Sequence, residues 1–278
     1  MKIWLQSGSG LSADGGTPYG KLYENAVQRR LSVIARPGTE IDTFGIGATP
    51  FGKDRYHAAK YKVVAGVIES ALRAEPEGYD GVGVINTFDH GYYELRELLS
   101  IPVVFITEST LYLACQLAPT FAVIGHNRQI ELQVEDLARR YGLGSRMIAG
   151  ESLDLTYDDF PRMYDDPSDY LEKFIIAARA AIKRGAGAFL VAGNPLNMFL
   201  VDQSLTEVDG APVVDGLIAT VKTAEMLVDL KAAGVDRGKN GLFKSPSNED
   251  LMKLINEIKE GSKESFNVLG NGMKRGLY

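Results

Sequence analysis

The stretch RGAGAFLVAGNP (184–195) decides the fold class of this 278-residue chain. A glycine-containing turn leads into five apolar residues, 188–192, which end in a polar Gly-Asn-Pro turn. An apolar run of this length between turn residues is typical of a strand that is covered on both faces of a parallel sheet. The earlier stretch EGYDGVGVINTF (77–88) repeats the same order of loop, apolar run and polar turn.

The rest of the chain alternates in the same way between short apolar runs and longer helical patterns. Together with 81–86 and 188–192, strands are predicted at 2–6, 40–44, 103–107, 121–125, 147–149 and 213–215, and helices at 58–74, 129–141, 169–184 and 216–233. This alternation indicates βαβ units and the α/β class. Ligands of open α/β sheets bind outside the carboxyl ends of the strands. The sequence therefore predicts two pseudo-symmetric, doubly wound parallel-sheet domains with a ligand pocket in the cleft between them.

The chain becomes more polar after residue 234. Ser247 is placed to cap a last helix, whose apolar stripe is predicted to be Leu251, Leu254 and Ile258.

Composition excludes several classes of protein. Thirty Lys and Arg against 36 Asp and Glu give a net charge of −6 without a basic stripe, so we expect no nucleic-acid partner. No apolar run reaches the ~18 residues of a membrane span, and the N-terminus lacks the apolar core of a signal peptide. A single cysteine, Cys115, excludes an internal disulfide and a multi-thiolate metal site. We expect a soluble cytoplasmic protein without a membrane partner.

Three segments, taken in order, resemble the aspartate/glutamate/hydantoin racemase superfamily, and its hydantoin-racemase branch most of all. They are TFD (87–89) with REL (96–98) and IPV (101–103), then RGAGAFLVAG (184–193), then APVVDGLIATVKTAEML (211–227). The resemblance runs over about residues 1–230. It implies a first domain of 1–116 plus 214–278, a second domain of 117–213, and a homo-oligomer. It also implies an enzyme that acts on a small carboxylate or cyclic amide without a cofactor.

The departure from this family concerns the acid/base residues. Family racemases use two cysteines, one at each of two strand ends, to remove and return a proton. The resemblance places these positions at Thr87 and Gly193, and neither is a cysteine. Cys115 follows YLA (112–114) in a stretch with a helical pattern and is interpreted as a small buried residue. A threonine hydroxyl is a poor acid and glycine offers no proton, so the predicted chemistry is acid/base catalysis without cysteine.

The residues left at the strand ends supply candidates for this chemistry. Thr87, His90 and His126 are the predicted catalytic residues, because an imidazole titrates near pH 6.5 and can serve as acid or base. In a structural interpretation of the same residues, Asp89 caps the next helix and His90 is solvated. Likewise, Asn127 would be a helix N-cap beside a partly exposed His126.

The predicted substrate-binding residues follow the same strands. Small hydroxyl and amide groups with free backbone N–H groups can hold a carboxylate or an oxyanion. Gly193 removes a side chain and is expected to enlarge the cleft. The binding set is Gln6, Ser7, Ser9, Asn86, Phe88, Asn127, Gly193 and Asn194. As alternatives, 6–10 is a plain Gly/Ser loop and 194–195 an Asn-Pro turn.

Other functions have weaker support. The three histidines, His57, His90 and His126, lie on separate segments without a paired spacing, so no metal site is predicted. The loop after the first predicted strand, 6–10, lacks the lysine that a P-loop requires. It also lacks the glycine spacing of a dinucleotide-binding site, and the acidic residue that would bind the ribose, Asp42, lies farther along the chain than in such sites. The reaction class within the superfamily stays open between isomerisation, decarboxylation and hydrolysis. The main alternative to an enzyme is a catalytically silent homologue that binds or senses a small molecule.

Overall fold

The structure, a computed structural model, describes residues 1–9, 18–46, 56–156, 158–247 and 249–258. Their strands form two sheets, one from each half of the fold. The predicted domain limits remain a prediction, and their part beyond residue 258 lies outside the described residues.

The first sheet has the strand order β2-β1-β3-β4, and all its pairs are parallel. Its strands are β1 (Lys2–Gln6), β2 (Glu40–Phe44), β3 (Gly81–Val84) and β4 (Val103–Phe105). The central strand β3 is buried along its whole length, as its apolar sequence predicts.

The second sheet repeats this order as β6-β5-β7-β9, with β8 added at the edge. Its parallel strands are β5 (Phe121–Gly125), β6 (Met147–Ser152), β7 (Phe189–Ala192) and β9 (Ala211–Val214). The two-residue strand β8 (Glu207–Val208) pairs antiparallel with β9 and was not predicted. The matching strand orders confirm the α/β class and the pseudo-symmetry of the two sheets.

Helices follow most strands, as a doubly wound fold requires. They are α1 (Pro18–Ile34), α2 (His57–Ala71), α3 (Tyr92–Leu98), α4 (Ile106–Leu117), α5 (Arg128–Arg140), α6 (Asp159–Asp165), α7 (Ser168–Lys183), α8 (Asn194–Asp202) and α9 (Gly216–Ala232). The Asn-Pro turn proposed after β7 is instead the start of α8, where Pro195 occupies the first turn. Proline fits there because the first N–H groups of a helix have no partner within the helix.

Two helices join the halves of the fold. Helix α4 follows the first sheet yet contacts β7 and β9 of the second, whereas α9 follows the second sheet and contacts β3 and β4 of the first. Helix α1 packs against α6, α8 and α9. One apolar core therefore runs through both halves, from Leu5 and Tyr23 to Phe189 and Phe199.

The last described helical residues, 249–258, pack on the first half of the fold. The backbone N–H of Asp250 donates to Ser247 Oγ (3.2 Å), which confirms the predicted cap. The predicted stripe is wrong at one position: Leu254 is exposed, and Ile255 packs beside Leu251 and Ile258. No described helix is long and apolar enough to cross a membrane.

Candidate active site

The turns after β1, β3, β5 and β7 meet where the carboxyl ends of the two sheets face each other. A Cβ placed on Gly8 would lie 2.2 Å from Asn86 Nδ2, so the turns after β1 and β3 are in close contact. The backbone N–H of Asn194 donates to Thr87 Oγ1 (3.3 Å), which joins the two sheets. Buried polar side chains at these turns include Gln6, Ser7, Asn86, His126 and Asn194. A cluster of buried polar groups at strand ends is what a ligand site in this fold requires.

The turn after β1 is held by its own side chains. Gln6 accepts a hydrogen bond from the Trp4 indole (2.9 Å) and donates to the carbonyl of Ser7 (2.8 Å). The hydroxyl groups of Ser7 and Ser9 lie 3.0 Å apart. Ser7 is almost fully buried and Ser9 is half-buried, so Ser9 is the more accessible hydroxyl.

The turn after β3 has a fixed backbone. Asn86 Oδ1 accepts from the backbone N–H of Phe88 (3.0 Å), an arrangement that asparagine favours in turns. The Thr107 hydroxyl donates to the carbonyl of Thr87 (2.7 Å). The side chain of Thr87 is half-buried and points its oxygen at the second sheet, through the contact with Asn194.

Gly193 and His126 pack closely against each other. Gly193 has φ +112°, a conformation that L side chains rarely adopt. A Cβ at this position would lie 2.2 Å from His126 Nδ1 and 2.9 Å from its Cε1, far inside van der Waals contact. We expected the glycine to enlarge the cleft, but the imidazole of His126 occupies the space that a side chain of residue 193 would take.

His126 is held in this position from several directions. It is 1% exposed, and its ring meets Phe160 edge-on with a centroid distance of 5.3 Å. Its backbone N–H donates to Ala192 (3.3 Å), and its carbonyl accepts from Leu155 (2.6 Å). The imidazole is therefore buried and fixed, and not partly exposed as one interpretation of the sequence required.

Two asparagines differ in what their side chains do. Asn127 Oδ1 accepts from the backbone N–H of Ile130 (3.0 Å) and caps α5, as the structural interpretation predicted. Asn194 is 5% exposed and donates from Nδ2 to the hydroxyl of Tyr23 on α1. Its Oδ1 is buried and has no hydrogen-bond partner among the described residues.

Asp89 lies in the turn after β3 and has a role that the sequence did not reveal. It has φ +48° and is 3% exposed. Its carboxyl accepts from the backbone N–H groups of Thr107 (3.0 Å) and Glu108 (2.9 Å) and from the Tyr141 hydroxyl (2.7 Å). It therefore caps α4, which begins directly after β4 without a cap of its own, and not the next helix along the chain. Burial raises its pKa to about 7, although these hydrogen bonds oppose the shift.

His90 faces a different part of the molecule. It is 5% exposed, so the interpretation as a solvated residue is wrong. With Lys60 on α2 and Leu137 on α5 it lines a cavity of about 310 Å³. Burial, with a smaller contribution from the charge of Lys60, lowers the pKa of His90 to about 3, so the imidazole is neutral near pH 7.

Known proteins similar to this chain decide its family. The family model described as Asp/Glu/Hydantoin racemase matches residues 21–224. This chain belongs to the Asp/Glu/hydantoin racemase family. A hydantoin racemase of Pseudomonas sp. (strain NS671) is 31% identical over 229 residues, which cover 82% of this chain and 89% of that protein. A hydantoin racemase of Paenarthrobacter aurescens is 26% identical, over 67% of this chain and 76% of its own length.

Solved structures agree with this racemase fold. The allantoin racemase from Klebsiella pneumoniae has a TM-score of 0.73 at 24% identity, over 89% of this chain and 94% of its own. The allantoin racemase from Pseudomonas fluorescens has a TM-score of 0.69 at 23% identity, over 89% and 97%. The family model and the hydantoin racemase of Pseudomonas sp. confirm the predicted membership of a family of racemase enzymes, and the solved structures agree in fold.

The two positions assigned to the cysteine pair of racemases lie side by side here. Thr87 contacts the residue that follows Gly193. Cys115, the only cysteine of the chain, lies in the last turn of α4 among apolar side chains, and its carbonyl accepts from Arg146 (2.8 Å). Burial raises the pKa of its thiol. No group of three or more His, Cys, Asp or Glu that could hold a metal ion is present in the described parts of the chain.

Proposed function

We propose that this protein is a cofactor-independent isomerase that inverts a carbon centre beside the carbonyl of a small cyclic amide, with His126 as its acid/base group. The observation that carries the proposal is the position of His126 Nδ1, which occupies the place of the side chain at residue 193. An imidazole at this place would replace the cysteine thiol that family racemases have at the position corresponding to Gly193.

The character of the turns favours an amide over a carboxylate. The polar side chains that these turns direct toward one another are hydroxyls, amides and the imidazole of His126, and the described residues of the turns include no lysine or arginine. The carboxyl of Asp89 is bonded to the start of α4. Neutral donors and acceptors suit the alternating N–H and C=O groups of a cyclic amide, whereas a carboxylate is bound best by a cation. The unpartnered Asn194 Oδ1 can accept an N–H of such a ring. Relatives named hydantoin racemase fit this class of substrate.

The proposed reaction begins with a proton transfer. A nitrogen of His126 takes the proton from the carbon, and the electron pair of the C–H bond moves into the carbonyl group to give an enolate. Hydrogen-bond donors in the cleft, among them the Thr87 hydroxyl, stabilise the developing oxyanion. Return of this proton from the imidazolium restores the original configuration, whereas protonation on the opposite face, from water held by Thr87, inverts it. In the second case the imidazolium proton passes to the hydroxide that the water leaves, which regenerates water and the neutral imidazole. Atoms and charges balance, and no cofactor is needed.

Solvent deuterium exchange tests this proposal. Exchange at the reacting carbon and loss of optical activity would be measured for a panel of 5-substituted hydantoins, amino acids and malonates. We expect exchange with the hydantoins, a loss of about 100-fold or more in His126→Gln, and an unchanged rate in the thiol-free control Cys115→Ala.

Other results would overturn the proposal. Exchange that survives His126→Gln, or that disappears in Cys115→Ala, excludes the histidine as the essential base. Release of carbon dioxide from malonates or opening of the hydantoin ring would replace isomerisation by decarboxylation or hydrolysis. Tight binding without exchange or turnover would identify a binding protein.

A further inference from the structure

The cavity beside His90 shares the turn after β3 with the cleft and is otherwise lined by α2, α3 and α5. It lies between α2, the 88–94 segment and α5, has a volume of about 310 Å³, and is called the α2–α5 cavity here. The turn after β3 separates it from the cleft, because Thr87 contacts the second sheet while His90 lines the cavity. A ligand in the cavity would thus contact the back of the turn that carries Thr87.

A buried and unsatisfied polar ring lines this cavity. His90 is 5% exposed, and neither ring nitrogen has a hydrogen-bond partner among the described residues. A buried donor or acceptor without a partner costs about 1–3 kcal/mol. A ligand that supplies a hydrogen bond to this ring recovers part of that cost.

The inner wall of the cavity combines a cation with aromatic rings. Lys60 Nζ lies 4.5 Å from the centre of the Phe88 ring, and the rings of Phe88 and His90 are 5.7 Å apart. Lys60 is close enough to lower the pKa of His90 by its charge. An anion between the two would gain an ion pair with Lys60 and a hydrogen bond from the neutral imidazole.

The acidic groups of the cavity are engaged elsewhere or lie at its rim. The charged and titratable groups that line it, besides two tyrosines, are His57, Lys60, Asp89, Glu94, Asp136 and Arg140. Asp89 is bonded to the start of α4, Asp136 pairs with Arg140 (3.6 Å), and Glu94 is exposed. Lys60 and the imidazole therefore lie beside Phe88, while Asp89 and Asp136 are already bonded and Glu94 is exposed to solvent.

We propose that the α2–α5 cavity is a second ligand site, which binds a small carboxylate with an aromatic or apolar body. The carboxylate contacts Lys60 and His90, and the body packs on Phe88 and Val64. This site is independent of the reaction proposed for the cleft.

Benzoate is a probe of this chemistry, and benzamide is its neutral counterpart of the same shape. Binding would be measured by calorimetry and by the ring signals of His90, which single substitutions can assign because the chain has three histidines. We expect benzoate to bind with a dissociation constant of about 1 mM or tighter, and benzamide about tenfold more weakly. Bound benzoate also raises the pKa of His90, since a neighbouring negative charge favours the imidazolium.

Two lysine variants test whether Lys60 binds the carboxylate. Lys60→Met is expected to weaken benzoate binding about tenfold, whereas Lys62→Met, an exposed neighbour on the same helix, leaves it unchanged. His90→Gln is also expected to weaken benzoate binding, and it replaces Lys60→Met as the test if that variant does not fold.

The proposal fails if benzoate does not bind, if Lys60→Met binds it as well as the wild type, or if benzamide binds equally. It also fails if His126→Gln abolishes binding while the ring signals of His90 do not move, because benzoate would then occupy the cleft.

Discussion

Gly193→Ala is the substitution that tests the packing of the site. Its methyl group would lie 2.2 Å from His126 Nδ1, on a residue whose φ is +112°. The backbone conformation alone costs a residue with a Cβ about 1–3 kcal/mol. Overpacking against the fixed imidazole adds about 1–3 kcal/mol.

A second glycine separates these two costs. Gly185 has φ +103°, and a Cβ there would meet nothing within 4 Å. Gly185→Ala therefore has the backbone cost without the overlap. We expect Gly193→Ala to lower the free energy of unfolding by about 1–3 kcal/mol more than Gly185→Ala does, as measured by urea denaturation.

Gly193→Ala should lower the rate of deuterium exchange by a larger factor than Gly185→Ala does. The methyl group displaces the imidazole, and a misplacement of about 1 Å costs about 100-fold in rate. Deuterium exchange is thus expected to fall about 100-fold in Gly193→Ala and to be unchanged in Gly185→Ala. In the double variant Gly193→Ala/His126→Ala the overlap is gone, so the two effects on stability are not additive. Equal stability and equal activity of the two single glycine variants would refute the placement of His126 over Gly193.

Two further substitutions test residues that support the site. Asp89 has a folded-state pKa raised to about 7 against about 3.9 in an unfolded chain, so the folded state holds more protons between these values. The stability that this group contributes is full below about pH 4 and is lost as the pH rises to about 7. The free energy of unfolding of the wild type minus that of Asp89→Asn, from denaturation at several pH values, should therefore fall over that range, and a constant difference would contradict the assignment. Tyr23→Phe removes the hydroxyl that accepts from Asn194 and leaves a buried amide donor unpaired, so we expect a loss of about 1–3 kcal/mol in thermal unfolding and slower exchange. Unchanged exchange in Tyr23→Phe would show that the orientation of Asn194 does not matter for the reaction.

The sequence predicts the sheets well because their signal is local. Continuous apolar runs between turns identify β3 and β7, and the polar turns that follow them do meet in space. Errors fall where the chain changes element without a loop. The strand predicted to reach Thr107 ends at Phe105, because α4 starts at the next residue. Its cap comes from Asp89, on another segment, which no local pattern reveals.

The site depends on contacts between distant segments, and these limit what the sequence can show. A glycine at 193 indicates missing volume, but only the fold shows that the ring of His126 takes it. His90 and Thr87 are close in sequence and are both predicted to be catalytic, yet Thr87 contacts the second sheet and His90 lines the α2–α5 cavity. Asn194 could be chosen as a polar residue after a strand, whereas its partner Tyr23 lies on a helix of the other half.

Chemical rescue tests most directly whether an imidazole over Gly193 moves the proton. His126→Gly leaves a gap in which free imidazole can bind, and deuterium exchange into a 5-substituted hydantoin would be followed as imidazole is added. We predict very slow exchange without imidazole, a rate that rises and saturates as imidazole is added, and no such rise in Thr87→Val, which keeps its own histidine. Fast exchange by His126→Gly in the absence of imidazole, or a rate that imidazole does not change, would contradict the account.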